Sequence, residues 1–237
     1  MAWLIWTGFT LILGRLAPVL IFPLFYSFKP LEEGDLKRRI ITLVESNGLR
    51  LKNVYLFNMS KTTKKANAAF CGMGRTRRVI LSDTLVKNFT SEEVEMVVAH
   101  EMGHCKLGHL WKRLTWGIVG SFAAFYLIYQ ISGVLCGAFG YNGLRDLASL
   151  PLIFLVFFVF GIVMMPIDNS YSRKHEYEAD AFAVNHSANQ AVFSSMMSKL
   201  GELNLSDPDP HPWIEFLLYD HPSIRHRIER VKLAVSR

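Results

Sequence analysis

The residues with the most chemistry in this 237-residue chain stand close together: His100-Glu101-Met102-Gly103-His104, two imidazoles four positions apart with a carboxylate beside the first. On a helix of 3.6 residues per turn, positions i and i+4 lie one above the other, so both rings can converge on a single ion. Glu101 would then sit next to the metal, free to take a proton from water without being a ligand. Zinc-dependent hydrolysis needs that division of labour: side-chain ligands that leave one position open, and a general base beside it.

A catalytic zinc takes a third protein ligand. His109 is nearest, but a helix continued through it would carry it about 140° round from His104. It therefore reads as a helix-end or interfacial residue. Cys105 points to another helix face again and reads as packing. The better source is Ser172-Arg173-Lys174-His175-Glu176-Tyr177-Glu178-Ala179-Asp180, where Glu176 and Asp180 are four apart on one helical face. Glu176 is expected as the ligand, with Asp180 accepting the spare ring N–H of a zinc-bound histidine and so fixing its tautomer. Glu178 points elsewhere in this register, and His175 competes as a ligand only if the helix is turned.

Other elements must hold these groups in place. Thr90 and Glu93 form a capping box, and Glu92, Glu93 and Glu95 place acidic charge where the helix dipole favours it, so the motif starts on a well-signalled helix. Val94, Val97 and Val98 give that helix an apolar face. Upstream, 36–47 reads as an amphipathic helix carrying Ile40, Ile41, Leu43 and Val44 on one side. Segments 53–59, 66–72 and 78–83 read as short strands, the second closed by a turn at Gly72-Met73-Gly74-Arg75. Asn67, Ala68 and Ala69 are the candidate edge for an extended substrate, because small side chains let another backbone approach; an ordinary inner strand fits the same residues.

The composition is 51% hydrophobic with a net charge of +6. The apolar excess lies in three blocks, 1–28, 114–139 and 150–167. The last has no charge in a length of about 27 Å as helix, close to a bilayer's hydrocarbon thickness. Block 1–28 carries Arg15, Pro18 and Pro23 and lacks the basic start of a secretory signal. Outside the blocks, sixteen basic residues fall between Lys29 and Arg113 and eight from Arg173 to Arg237. If the second and third blocks form a hairpin, both basic segments face one side, which the positive-inside rule makes cytosolic. The positive charge also suits anionic lipid, and no aromatic-basic interleaving points to nucleic acid. Three cysteines at unrelated spacings form neither a disulfide framework nor a metal knuckle.

These readings give a mainly α protein with a small β-sheet, divided into a transmembrane segment (1–28), a cytosolic segment with the sheet and the HExxH helix (29–114), a transmembrane hairpin (115–167) and a cytosolic segment with the third ligand (168–237). The HEMGHCKLGH and SRKHEYEADAFA stretches, the ANAAF strand and the tail from Asp207 to Ile228 together resemble the M48 family of integral-membrane gluzincin zinc metalloproteases, and within it the Ste24-type CAAX prenyl proteases. The resemblance implies one zinc held by His100, His104 and Glu176, with Glu101 as base. It also implies that His221 and Arg227 hold substrate or stabilise the oxyanion, and it puts Asn67 on the substrate-binding edge.

The expected activity is membrane endopeptidase cleavage that releases the C-terminal tripeptide of isoprenylated CAAX proteins, in a bacterial plasma membrane or the endoplasmic reticulum. Peptide or protein substrate and membrane lipid are the implied partners. Ste24-type relatives carry further spans upstream, so the chain reads as a shortened relative or as a catalytic half that needs an upstream segment or partner. An HtpX-like quality-control protease fits the same metal motifs. A non-catalytic scaffold stapled by zinc leaves Glu101 without a purpose.

Overall fold

The computed structural model describes residues 1–16, 20–72, 74–187 and 189–235. Pro18 and Met73, which entered the readings of the first block and of the turn after the second strand, lie outside the described residues. Helices dominate, with one four-stranded sheet near the front of the chain. Strand β1 is Phe28–Pro30, β2 Asn53–Phe57, β3 Ala68–Cys71 and β4 Arg78–Ser82. Their spatial order is β1-β2-β4-β3, with β2 and β4 parallel and the two outer pairs antiparallel. Strand β1 straddles the end of the first apolar block, where the sequence signals no strand; its Lys29 and Pro30 are tolerable because it is an edge strand, where neither alternation nor every N–H is needed.

Helix α3 (Asp35–Ser46) buries Ile40, Leu43 and Val44, the amphipathic face legible in the sequence. Short α4 (Asp83–Asn88) then leads to α5 (Ser91–Lys106), which carries the HExxH residues. The capping box at its start is formed in full: Thr90 N donates to Glu93 Oε2 at 2.8 Å, and Glu93 N donates to Thr90 Oγ1 at 3.3 Å. The helix is buried over much more than one stripe, at Val94, Met96, Val97, Val98, Ala99 and Met102. It runs through the centre of the core, against α3, strand β3 and the later helices α7 (Leu150–Ser187) and α8 (Gln190–Asn204). Glu93 ties it to α8, accepting from Ser195 Oγ and Lys199 Nζ, each at 2.7 Å. A helix fixed on so many sides is a rigid mount for a metal site.

Helix α5 ends in a glycine turn. Gly108 has φ +68, a left-handed conformation that costs glycine little, and α6 (His109–Ala138) starts immediately after it. Helices α6 and α7 run antiparallel, joined by Arg113 Nη1 to Ser172 Oγ (2.8 Å), Trp116 Nε1 to Asp168 Oδ1 (2.6 Å) and an edge-on Phe125–Phe157 pair. Helix α7 is continuous for 38 residues, about 57 Å, so the apolar block at 150–167 and the segment bearing Glu176 belong to one rod. By length and composition α6 and α7 are long and apolar enough to cross a membrane. Only 11% and 6% of their most apolar windows are buried, so these stretches lie outside the core that the later half of α7 joins.

Helix α1 (Ala2–Leu16) leans on α6 through Trp3, whose ring meets Phe122 and whose Nε1 donates to Ser121 Oγ. Arg15 lies in the last turn of α1, not at the middle of a span, where the carbonyl end of the helix favours a cation. The short helices α2 (Phe22–Phe25), α9 (Pro212–Leu218) and α10 (Ile224–Val235) complete the described chain.

Candidate metal centre

Helices α5 and α7 make the site by close approach. A Cβ built on Gly103 would stand 3.2 Å from Ala179 Cα and 3.2 Å from the Phe182 side chain, so a glycine inside the HExxH motif lets the two backbones come together. Sequence reasoning gave Gly103 no role. Its signal is only that glycine costs a helix interior about 1 kcal/mol and so needs a reason there.

Across this contact three donors converge. His100 Nε2 and His104 Nε2 are 3.1 Å apart, Glu176 Oε2 is 3.5 Å from the first, and Glu176 Oε1 is 3.3 Å from the second. Ligands about 2.0–2.2 Å from a tetrahedral zinc stand about 3.3–3.6 Å from one another, so this donor set fits that ion in number, type and spacing.

Behind the donors lies a buried electrostatic frame. Asp180 Oδ1 is 2.9 Å from His100 Nδ1, and both Asp180 oxygens accept from Arg227, from Nη2 at 2.6 Å and from Nε at 2.8 Å. Arg227 Nη2 also lies 3.5 Å from Glu176 Oε2. Burial alone would lower the pKa of His100, but hydrogen bonds to Asp180 and Glu176 outweigh it and raise it to about 9. Burial would likewise raise the Glu176 and Asp180 carboxyls. The imidazoles hold Glu176 well below the usual range, and the Arg227 guanidinium does so for Asp180. Glu101, half-buried beside the site, is pushed up by burial against the pull of His100 and His104, the direction that suits a proton acceptor working near neutrality.

His221 stands at the mouth. It is more than half exposed, with Nε2 3.6 Å from Glu176 Oε1 and Nδ1 2.9 Å from Asp220 Oδ1. Its loop is held from below by Arg173 of α7, which donates to the Tyr219 and Glu215 carbonyls at 2.6 and 2.9 Å, and by buried Glu215, which accepts from Ser223 N at 2.9 Å. Arg227, grouped with His221 in the sequence, reaches the other oxygen of Glu176 from the buried side. It is buried and committed to Asp180, with no group at the mouth. Asn67 is exposed just ahead of β3, its backbone paired with Ser82, and Ala68 and Ala69 follow in the strand. Among the described residues β3 pairs only with β4, so its other edge is free, and the strand lies against α5.

The glycine turn leaves His109 a helix-end residue, as read, but at the start of α6 instead of the end of α5. Because α5 stops at Lys106, His109 is not carried round a continued helix; it opens α6 and turns back, its Nδ1 2.9 Å from His104 Nδ1. His109 Nε2 is 3.0 Å from Glu178 Oε2, and the His109 and His175 rings stack at 4.2 Å between centroids, 13° from parallel. Burial lowers His109 to about 4 and lowers His175 as well. The three residues discounted as ligands thus form a second group beside the first.

Residues 30–235 match the model of peptidase family M48. The chain belongs to that family. It is 32% identical to an uncharacterized metalloprotease, YhfN, of Bacillus subtilis over 98% of this chain and 55% of that protein. It is 29% identical to the human CAAX prenyl protease 1 homolog over 98% of this chain and 57% of that protein. The crystal structure of S. mikatae Ste24p superposes with a TM-score of 0.80 at 29% identity, covering 97% of this chain and 58% of that one. The chain thus spans a little over half the length of these M48 relatives. The mainly helical fold with a small mixed sheet is that of this metalloprotease family.

Proposed function

We propose that this chain carries the catalytic part of a membrane-embedded zinc endopeptidase that cleaves isoprenylated CAAX peptides. The observation that carries the reading is the convergence of His100, His104 and Glu176 at spacings a tetrahedral zinc requires, with Glu101 beside them. His100 and His104 would bind through Nε2 and Glu176 through its carboxylate. The ion, when bound, supplies Lewis-acid polarisation of a carbonyl and makes a water more acidic. Glu101 would accept a proton from the attacking water as its oxygen bonds to the scissile carbonyl carbon, and would return that proton to the amine as the C–N bond breaks. Asp180 holds His100 in the Nδ1–H tautomer, and Arg227 holds Asp180, acting as a positioning residue. His221, exposed and close to Glu176, would donate to the oxygen that gains charge from Nε2 as an imidazolium, since its Nδ1–H is given to Asp220. The free edge of β3 beyond Asn67 can take the substrate as an added strand.

The membrane assignment rests on the outward-facing apolar residues of α6 and α7, among them Phe122, Val134, Phe154, Phe158 and Val163, and on the membrane proteases of the CAAX type that the chain is similar to. The rod of α7 would then run from the hydrocarbon layer straight into the metal centre, bringing a lipid-borne substrate tail to the site. The spans at 1–28 and 115–167 and the cytosolic placement of 29–114 and 168–237 follow from the same reading.

The test is cleavage of a farnesylated CAAX peptide and of its unprenylated twin by the detergent-purified chain, with zinc assayed in parallel. We expect one zinc per chain, preference for the farnesylated peptide, and a loss of about 10²–10⁴-fold in turnover in Glu101→Gln with zinc retained. Undiminished cleavage by Glu101→Gln would remove the base assignment. Equal cleavage of both peptides would favour a general membrane-protein protease over a prenyl protease.

A further inference from the structure

We propose that His109 and Glu178 are positioning residues for the metal centre, forming a hydrogen-bonded line that fixes which nitrogen of His104 faces the ion. This rests on the reading above, in which His104 binds zinc through Nε2. The protons along the line follow from the chemistry of its far end. The Glu178 carboxylate, with Lys112 and Lys174 each 3.9 Å away, is the accepting end of the line, so the 3.0 Å contact puts the His109 proton on Nε2. A neutral, buried imidazole has one N–H, which leaves His109 Nδ1 as an acceptor. The 2.9 Å contact to His104 Nδ1 is then donated by His104. His104 Nε2 is left with a bare lone pair, and that is the atom 3.1 Å from His100 Nε2 and 3.3 Å from Glu176 Oε1.

The two histidine ligands are therefore served unequally. His100 meets its carboxylate directly, Asp180 at 2.9 Å, whereas His104 reaches Glu178 through the ring of His109. The intermediate ring is held still. His175 stacks on its face, and Lys112 and Lys174, each 3.9 Å from Glu178, balance the carboxylate. The ligand-like composition of this group does not make it a second ion site. Imidazole ligates in its ring plane, and planes 13° from parallel set the lone pairs of His109 and His175 side by side instead of aiming them at one point. Its function is served through His104.

The test measures zinc affinity by chelator competition and the visible spectrum of this cobalt-substituted chain in detergent. In His109→Phe we expect zinc about 10-fold weaker and a shifted cobalt spectrum. Glu178→Ala should give a smaller loss in the same direction, from an exposed edge that leaves the core untouched. His109→Gln should restore most of the affinity, since its amide can accept from His104 and donate to Glu178 at once; a residue that only filled space would not be rescued this way. Zinc affinity and cobalt spectrum unchanged in both His109→Phe and Glu178→Ala would overturn the relay while leaving the metal centre in place. Two zinc ions per wild-type chain would also overturn it, because an ion in the second group would displace the His109–Glu178 hydrogen bond. A wild-type chain that binds no zinc fails at the earlier reading.

Discussion

Two groups of two histidines and one glutamate lie side by side where α5 and α6 meet α7, and they differ in geometry far more than in composition. In His100, His104 and Glu176 the donor atoms point at one another across 3.1–3.5 Å, and a buried Asp180–Arg227 pair backs them. In His109, His175 and Glu178 two rings lie flat on each other and the carboxylate is drawn to a single nitrogen. The first arrangement aims lone pairs at a common point; in the second, His109 spends its nitrogens in a line of hydrogen bonds and His175 only stacks on its face. Residue type alone therefore does not make a metal site. What matters is where the second nitrogen of each imidazole is spent.

The largest effect should come from taking a donor out of the convergent group. Glu176→Ala should abolish stoichiometric zinc, a loss beyond the roughly 10–100-fold typical of an outer-shell partner. Metal analysis after dialysis at a fixed free-zinc level reads it directly. Retention of one tightly held ion would mean that the second group, or His221, supplies the third ligand instead.

Next in size is the frame behind the donors. Asp180→Asn removes the charge that both His100 and Arg227 use. Zinc affinity should fall by about 10–100-fold, and the metal-free protein should lose roughly 3–5 kcal/mol, since Arg227 stays buried with its main counter-charge gone. A thermal melt and a chelator titration on the same sample separate the two. Lower stability with unchanged affinity would make Asp180 a partner of Arg227 alone and break the parallel with Glu178.

These expectations show which parts of the molecule a reader of the sequence can reach. Helix α5, its capping box and the four-residue spacings of His100 with His104 and of Glu176 with Asp180 are local patterns, fixed by the helix period. Strands β2, β3 and β4 were legible from short apolar runs, but β1 was not, because an edge strand of three residues carries almost no pattern. The role of His109 was hidden by one backbone torsion: at Gly108 a left-handed φ redirects a ring that a straight helix would send away. Glu178 was out of reach for a related reason, since its partner was misplaced. The tail motif put His221 and Arg227 together as substrate-holding groups, yet six residues of chain place one at the mouth and the other beneath the ligands. Contacts between α10 and α7 decide that, and no local signal encodes them.

The smallest effect expected is also the one that separates the two groups most cleanly. Gly103→Ala adds one methyl where Ala179 Cα and Phe182 Cβ would both stand 3.2 Å away. The ring of Phe182 can shift, but a backbone carbon cannot, so α5 and α7 must part by a few tenths of an ångström. Overpacking of this kind costs about 1–3 kcal/mol. The convergent group takes donors from both helices and needs them all within bonding range of one ion, so the parting should weaken zinc by less than Asp180→Asn does but measurably. The contact of His104 with His109 spans the α5–α6 turn and that of His109 with Glu178 joins α6 to α7, so neither crosses the α5–α7 contact at Gly103 and the His104 tautomer should stay intact. That outcome would appear as losses in zinc affinity that add when Gly103→Ala is combined with Glu178→Ala, as expected of two changes that share no contact. A melting temperature and zinc affinity both at wild-type values would mean that the helices have slack at this contact and that Gly103 does not set the spacing of the metal centre.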